Sequence, residues 1–240
     1  MASLTIFGHR GSSGTHPENT LISFQAANKA GANGIELDVQ LTKDGIPVVI
    51  HDERVDRTTN GVGWVKDFLY EDLIRLDAGQ SFSSRFQGTP IPSLDEVLEW
   101  ITSTTLSLNI ELKTGYVSYE GIEDKILALL NHYQLKDRCI ISSFNHYSVK
   151  HITQTDSPPE TAILIMEKLV EPWDYLKKVG AHGLHIEWQS LDEDLMHNTQ
   201  KRGIPVRAFT VNDQKEILKA QKLGCDAIFT DFPASSIQSF

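Results

Sequence analysis

Short apolar runs rich in β-branched residues recur from one end of the chain to the other. They fall at 4–8, 34–41, 106–112, 139–143, 161–165, 183–187, 206–210 and 226–230, and each predicts a strand. Amphipathic patterns between them predict helices near 20–30, 93–103, 119–132, 145–154, 172–179, 192–202 and 213–223. Eight strands, nearly all followed by a helix, are the signature of an α/β fold of the (β/α)8 TIM-barrel type. A doubly wound sheet is the alternative, but its glycine fingerprint is missing after the first strand, where the chain reads Gly8-His9-Arg10-Gly11-Ser12-Ser13-Gly14. A length of 240 residues suits one barrel domain spanning 1–240. Residues 53–92 break the rhythm and read as an insertion of loops with a short helix near 71–76.

A ninth strand-like run, 46–51, follows 34–41 after only Thr42-Lys43-Asp44-Gly45. No crossover helix fits there, so the two runs must pair antiparallel. A two-residue Asp44-Gly45 turn would set Lys43 opposite Ile46 and His51 opposite Asp38. His51 would then share a face with Glu36 and Asp38.

Glu36 and Asp38 alternate with Ile35, Leu37 and Val39, so in a barrel the acidic face points inward. Two adjacent buried carboxylates are costly without a cation, which a divalent metal or a nearby Lys or Arg would supply. Strand 106–112 repeats the device, with Asn109, Glu111 and Lys113 on one face. Three inward carboxylates from neighbouring strands suit an oxygen-liganded Mg²⁺ or Ca²⁺. The competing reading pairs Lys113 with Glu36 or Asp38 and needs no metal. His9 closes the first strand at the C-terminal rim, where barrels place their chemistry. His9 and His51 beside a metal-bound phosphate can serve as general base and general acid, and Arg10 can hold phosphate oxygens. Pro17-Glu18-Asn19-Thr20 opens a helix with Asn19 or Thr20 as cap. Local pattern favours capping alone over a role in organising the Arg10 loop. Glu187 and Arg207, inward on neighbouring strands, are expected to form a buried ion pair.

Composition narrows the partners. A net charge of −10 argues against nucleic acid, yet a metal and a few local cations can reverse the field inside a pocket. No apolar run approaches the ~18 residues of a membrane span, so no stable membrane association is expected. The segment Met1–Phe7 lacks the basic and long apolar regions of a leader. Cys139 and Cys225 read as buried free thiols in a reducing, cytoplasmic setting.

The motifs resemble, in order, those of glycerophosphodiester phosphodiesterases: His9-Arg10-Gly11, Pro17-Glu18-Asn19-Thr20, Glu36-Leu37-Asp38-Val39, Thr42-Lys43-Asp44-Gly45, Val48-Val49-Ile50-His51-Asp52 and Arg57-Thr58-Thr59-Asn60-Gly61. Leu76-Asp77-Ala78-Gly79, Ile91-Pro92-Ser93-Leu94, Glu111-Leu112-Lys113, Phe209-Thr210-Val211-Asn212 and Thr230-Asp231-Phe232-Pro233 continue the series. The resemblance implies a phospholipase C-like TIM barrel with a small insertion after the His51 strand. It implies hydrolysis of small-molecule glycerophosphodiesters, such as glycerophosphocholine or glycerophosphoethanolamine, to sn-glycerol 3-phosphate and an alcohol. It also implies one divalent ion on Glu36, Asp38 and Glu111, His9 and His51 as the acid/base pair, and Arg10 and Lys113 on phosphate. Phe209 stands where the family often has Trp and would pack against the glycerol carbons. Two other readings stay open. A lysophospholipase D would need an apolar entrance from Trp64, Phe68, Leu69 and Phe82, and a non-catalytic barrel would bind a phosphodiester without cleaving it.

Overall fold

The strand Gly34–Leu41 is buried on both faces along its whole length. Ile35, Leu37, Val39 and Leu41 face a large outer core with Phe24, Leu98, Ile101 and Ile126, which leaves Glu36, Asp38 and Gln40 for the inner face. The same division holds around a ring of strands. In the computed structural model, which describes residues 4–238, these are β1 (Thr5–Gly8), β2 (Gly34–Leu41), β4 (Ser107–Leu112), β5 (Cys139–Ser143), β6 (Glu160–Ile165), β7 (Gly183–Glu187), β8 (Val206–Phe209) and β9 (Ala227–Thr230). Residues 1–3, which begin the segment read as lacking leader features, lie outside the described residues. The eight strands are parallel, and pairing of β1 with both β2 and β9 closes the barrel. β3 (Pro47–Val49) pairs antiparallel with the end of β2, beyond the residues that pair with β1. All eight predicted barrel strands are present, and each boundary is within one residue.

Helices fill the gaps in the predicted order: α1 (Leu21–Ala30), α3 (Leu94–Thr102), α4 (Ile122–His132), α5 (His146–Thr153), α6 (Pro172–Val179), α7 (Glu193–Gln200) and α8 (Gln214–Leu223). Their ends follow local chemistry. Ser93 with Glu96, and Asp213 with Glu216, form capping boxes, while Gly31 and Gly180 end helices in the left-handed conformation. A last short helix, α9 (Pro233–Ile237), follows β9. The barrel interior is filled by Phe7, Ile140, Ala162, Ala227 and Phe229, and a second outer core packs α5–α8 against β6–β9. Cys139 and Cys225 are free and buried, and burial pushes the Cys225 thiol up to about 12. Among the described residues no helix is long and apolar enough to cross a membrane.

Between β3 and α3 the chain has no βα unit. It forms the four-residue α2 (Tyr70–Leu73), shorter than the helix expected near 71–76, and two single 3-10 turns. Val48, Ile50, Val55, Val65, Leu73, Ala78 and Ile91 build a small satellite core beneath this segment.

The β2–β3 register differs from the two-residue turn expected. Val39 faces Val49 and Gln40 faces Val48, while Thr42 N–H donates to Ile46 O. The loop therefore has three residues, Lys43 to Gly45, with Gly45 at φ 76°. The shift places Ile50, whose N–H donates to Asp38 O at 3.0 Å, where His51 was expected. His51 leaves the ladder altogether. Gln40 takes over its placement. Its Nε2 donates to the carbonyls of Ile50, His51 and Asp52 at 3.1, 3.0 and 2.6 Å, and its Oε1 accepts from the Tyr119 hydroxyl at 2.8 Å. Replacing Gln40 with Leu strands buried acceptors. A loss of about 1–3 kcal/mol is expected, read as a lower urea midpoint at unchanged m-value, together with slower turnover; an unaltered midpoint would remove Gln40 from this role.

Candidate active site

The inward face of β2 and β4 brings three carboxylates together. Glu36, Asp38 and Glu111 each offer an oxygen within 4.8 Å of the others. Glu36 is 4% exposed and Asp38 1%, so their charges meet little water. Burial, then the charges of Asp38 and Glu111, drives Glu36 well above the usual carboxylate range. Burial and the charge of Asp38 raise Glu111 as well. Burial alone would raise Asp38 too, but Arg10, His51, Lys113 and a hydrogen bond from Asn19 outweigh it and hold it low. One Asp38 oxygen, Oδ1, is buried without a hydrogen-bond partner, and so is Asn109 Oδ1. An all-oxygen trio with an orphaned carboxylate oxygen and an excess of negative charge fits a hard divalent cation.

The competing cation is present but does not complete the site. Lys113 Nζ donates to Glu111 Oε1 at 2.9 Å and stands 3.8 Å from Asp38 Oδ1. It also lies 3.2 Å from His51 Nε2. Burial would lower the ammonium, but Glu111 and Asp38 raise it on balance.

Each histidine is held from behind. His9 Nδ1 is 2.7 Å from Asp231 Oδ1, and Asp231 also accepts from Ser13 Oγ and Asn212 Nδ2. His51 Nδ1 is 2.7 Å from Asp52 Oδ1, and Arg57 grips Asp52 through Nε and Nη2 at 2.6 and 3.0 Å. With Nδ1 engaged, Nε2 is the ring nitrogen each histidine has for exchange in the cavity, and that of His51 meets Lys113 Nζ there. Burial would raise Asp231, but its bond to His9, that ring's charge and the Asn212 and Ser13 bonds bring it down to about 2. Arg57 likewise holds Asp52 far below its ordinary value.

Arg10 follows His9 at φ 52°, a left-handed residue that turns its N–H onto Glu36 Oε2 at 2.8 Å. Its guanidinium bonds Glu18 Oε1 at 2.9 Å and approaches Asp38 Oδ2 at 3.5 Å. Glu18 also accepts two bonds from Arg57. Asn19 donates to Asp38 Oδ2 at 2.8 Å, and Thr20 caps α1. The segment 17–20 therefore does both jobs, which corrects the expectation of capping alone: Thr20 is the cap, and Glu18 and Asn19 organise the site.

These groups open into a cavity of about 310 Å³ whose lining includes His9, Arg10, Glu36, His51, Glu111 and Phe209. Phe209 meets Phe144 edge-on, with centroids 6.0 Å apart. The expected Glu187–Arg207 pair is absent. Glu187 lies opposite Phe209 at the top of β7, whereas Arg207 is level with His185 one layer deeper and bonds Glu160 at 2.6 Å. Trp64, Phe68, Leu69 and Phe82 do not line the cavity. Trp64 stacks on Tyr116, Phe68 packs on the satellite core and Phe82 meets Phe86.

Asp231, Asp52, Asn212, Arg57 and Gln40 were not singled out from the sequence. Asp52 had a signal in its adjacency to His51, and Asp231 in its position ending the last strand. Arg57 and Gln40 had none beyond lying in or beside the ordered motifs.

Comparison with known proteins gives a consistent result. The model of the Glycerophosphoryl diester phosphodiesterase family matches residues 9–235. A glycerophosphodiester phosphodiesterase of Caldanaerobacter subterraneus subsp. tengcongensis is 44% identical over 97% of this chain and 96% of that protein. One from Bacillus altitudinis is also 44% identical, over the same shares. The structure of an Oleispira antarctica phosphodiesterase in complex with the product sn-glycerol-3-phosphate superposes with a TM-score of 0.88 at 32% identity, covering 98% of this chain and 96% of that one.

The lowered Asp231 gives a signed expectation. A carboxylate held down in the folded state contributes stability in full above its ordinary value near 4 and loses it as pH falls through about 2. The stability gap between wild type and Asp231→Asn, measured by urea unfolding, is expected to shrink as pH falls through that window. A gap that stays constant there would contradict the assignment.

Proposed function

Because this chain belongs to the glycerophosphoryl diester phosphodiesterase family and is a phosphodiesterase of that kind, we propose that its His9, His51 and carboxylate cluster perform the hydrolysis. The substrates we infer are glycerophosphodiesters such as glycerophosphocholine and glycerophosphoethanolamine, cleaved to sn-glycerol 3-phosphate and the free alcohol. The observation that carries this reading is the pair of carboxylate-backed histidines lining one cavity with Glu36 and Glu111, behind which Asp38 completes the acidic trio.

Glu36, Asp38 and Glu111 would hold one divalent ion, Mg²⁺ or Ca²⁺, which when bound neutralises phosphate charge and that of the transition state. Arg10 and Lys113 orient the phosphoryl oxygens. One histidine takes a proton at Nε2 from the nucleophile as its oxygen bonds phosphorus; water gives glycerol 3-phosphate directly, whereas the neighbouring glycerol hydroxyl gives a cyclic phosphate that a water then opens with the two histidine roles exchanged. The bond from phosphorus to the alcohol oxygen breaks, and the other histidine gives that oxygen a proton from Nε2. Asp52 and Asp231 keep the rings in the tautomer this exchange requires. Phe209 supplies an apolar wall for substrate carbons. Buried free thiols at Cys139 and Cys225 support a cytoplasmic setting, and a single barrel domain carrying the 53–92 insertion is the organisation we infer.

Replacing His9 or His51 with Ala is expected to lower the rate of glycerol 3-phosphate release by roughly 10² or more with the melting temperature nearly unchanged; near wild-type rates in both variants would end the acid/base assignment. Stripping the protein with a chelator is expected to abolish activity. Adding Mg²⁺ or Ca²⁺ back should restore it and raise the melting temperature, whereas full activity in metal-free protein would exclude the metal role.

A further inference from the structure

We propose that Glu187, Phe144 and Phe209 form a cation-binding corner at the mouth of the cavity, which favours diesters whose alcohol carries an ammonium group. The inference rests on the proposed phosphodiester activity and adds to it a determinant of the leaving group. The cavity has two sides. Arg10, His9 and His51 lie toward β1 and β2 with Glu36 and Glu111, whose charge a bound divalent ion would offset, and an anionic phosphate belongs there. Glu187 is a carboxylate on the far side, at the end of β7.

Glu187 is not satisfied as a charge. Its Oε2 accepts from the Gln189 backbone N–H at 2.8 Å. Among the described residues no Lys, Arg or His lies within ion-pair distance of it. The cation nearest in expectation, Arg207, is turned away to Glu160.

The neighbouring surface is aromatic. Glu187 and Phe209 are register partners across β7 and β8. The Phe144 and Phe209 rings meet at 88°, so they make a right-angled corner. Phe144 is 42% exposed and Met166 49%, which leaves large apolar side chains open where the cavity meets solvent. Ring faces attract a cation through the quadrupole, and a quaternary ammonium is also weakly hydrated, so it gives up little on leaving water. A carboxylate beside two rings therefore suits choline or ethanolamine better than a neutral alcohol. A phosphate on one side and an ammonium on the other match the two halves of the cavity. The alternative is that Glu187 only caps the 3-10 turn Trp188–Ser190.

The test uses metal-reconstituted enzyme and its Glu187→Gln and Phe144→Leu variants. Glutamine keeps the carbonyl that caps the turn and removes only the charge. Glycerol 3-phosphate release is measured with glycerophosphocholine, glycerophosphoethanolamine and glycerophosphoglycerol. The ratio of kcat/KM for the two cationic substrates over the neutral one is expected to fall about tenfold in Glu187→Gln, and to fall in Phe144→Leu. Tetramethylammonium binding, followed by calorimetry, should weaken by a similar factor. A selectivity ratio and a tetramethylammonium affinity both unchanged in Glu187→Gln would overturn the corner. Absence of glycerol 3-phosphate from all three substrates would instead defeat the activity assignment, and calorimetry would still decide the corner.

Discussion

The site is built around an electrostatic conflict. Three carboxylates converge on the inner face of two adjacent strands, where little water screens them. The surrounding structure answers in parts. Arg10 lends a backbone N–H to Glu36 and its guanidinium to Asp38, Asn19 bonds Asp38, and Lys113 bonds Glu111. These contacts hold Asp38 charged, yet they leave Glu36 and Glu111 raised and Asp38 Oδ1 without a hydrogen-bond partner. The balance that remains is one a divalent ion would complete. A cluster fully neutralised by protein cations would have no such affinity, and one with no cations at all would strain the barrel that holds it.

The same charges bind the segment between β3 and α3 to the barrel. Arg57 reaches back to Asp52 behind His51 and to Glu18 beside Arg10. One side chain thereby links the group that would move protons to the group that would hold phosphate. Arg57 is half exposed, so its ion pairs contribute little to stability through solvent. Their value lies in geometry, since a bidentate grip fixes direction as well as distance. This segment has its own small apolar core, to which Ile50 and Val55 on either side of His51 and Asp52 belong.

The barrel was legible because β strands buried on both faces still separate their apolar and polar residues by alternation. Every predicted barrel strand is present, and Glu36, Asp38 and Glu111 converge because side-chain parity and strand adjacency are both sequence properties. Errors arose where a side chain, not the backbone ladder, decides position. The β2–β3 loop is one residue longer than the Asp44-Gly45 pair suggested, so pairing alone would have sent His51 to the wrong face. Gln40 rescues the arrangement by binding three successive carbonyls, a contact that no periodicity encodes. Arg207 has the inward parity expected of it, but parity fixes a face and not a depth along the strand, and its partner proved to be Glu160.

Depth also separates the two halves of the cavity. Along β7 and β8 the Arg207 of the deeper layer is tied to His185 and Glu160, while in the next layer Glu187 has no ion-pair partner and lines the cavity with Phe209. One layer down Arg207 finds its partners within the barrel, because His185 and Glu160 are both fixed in strands, while His185 Nδ1 stays without one. At the rim only one partner is supplied, and the other must come with the ligand. By that logic the rim residues without an internal partner would read the substrate, and the histidines and acidic trio, held on the opposite strands, would act on whatever the rim admits.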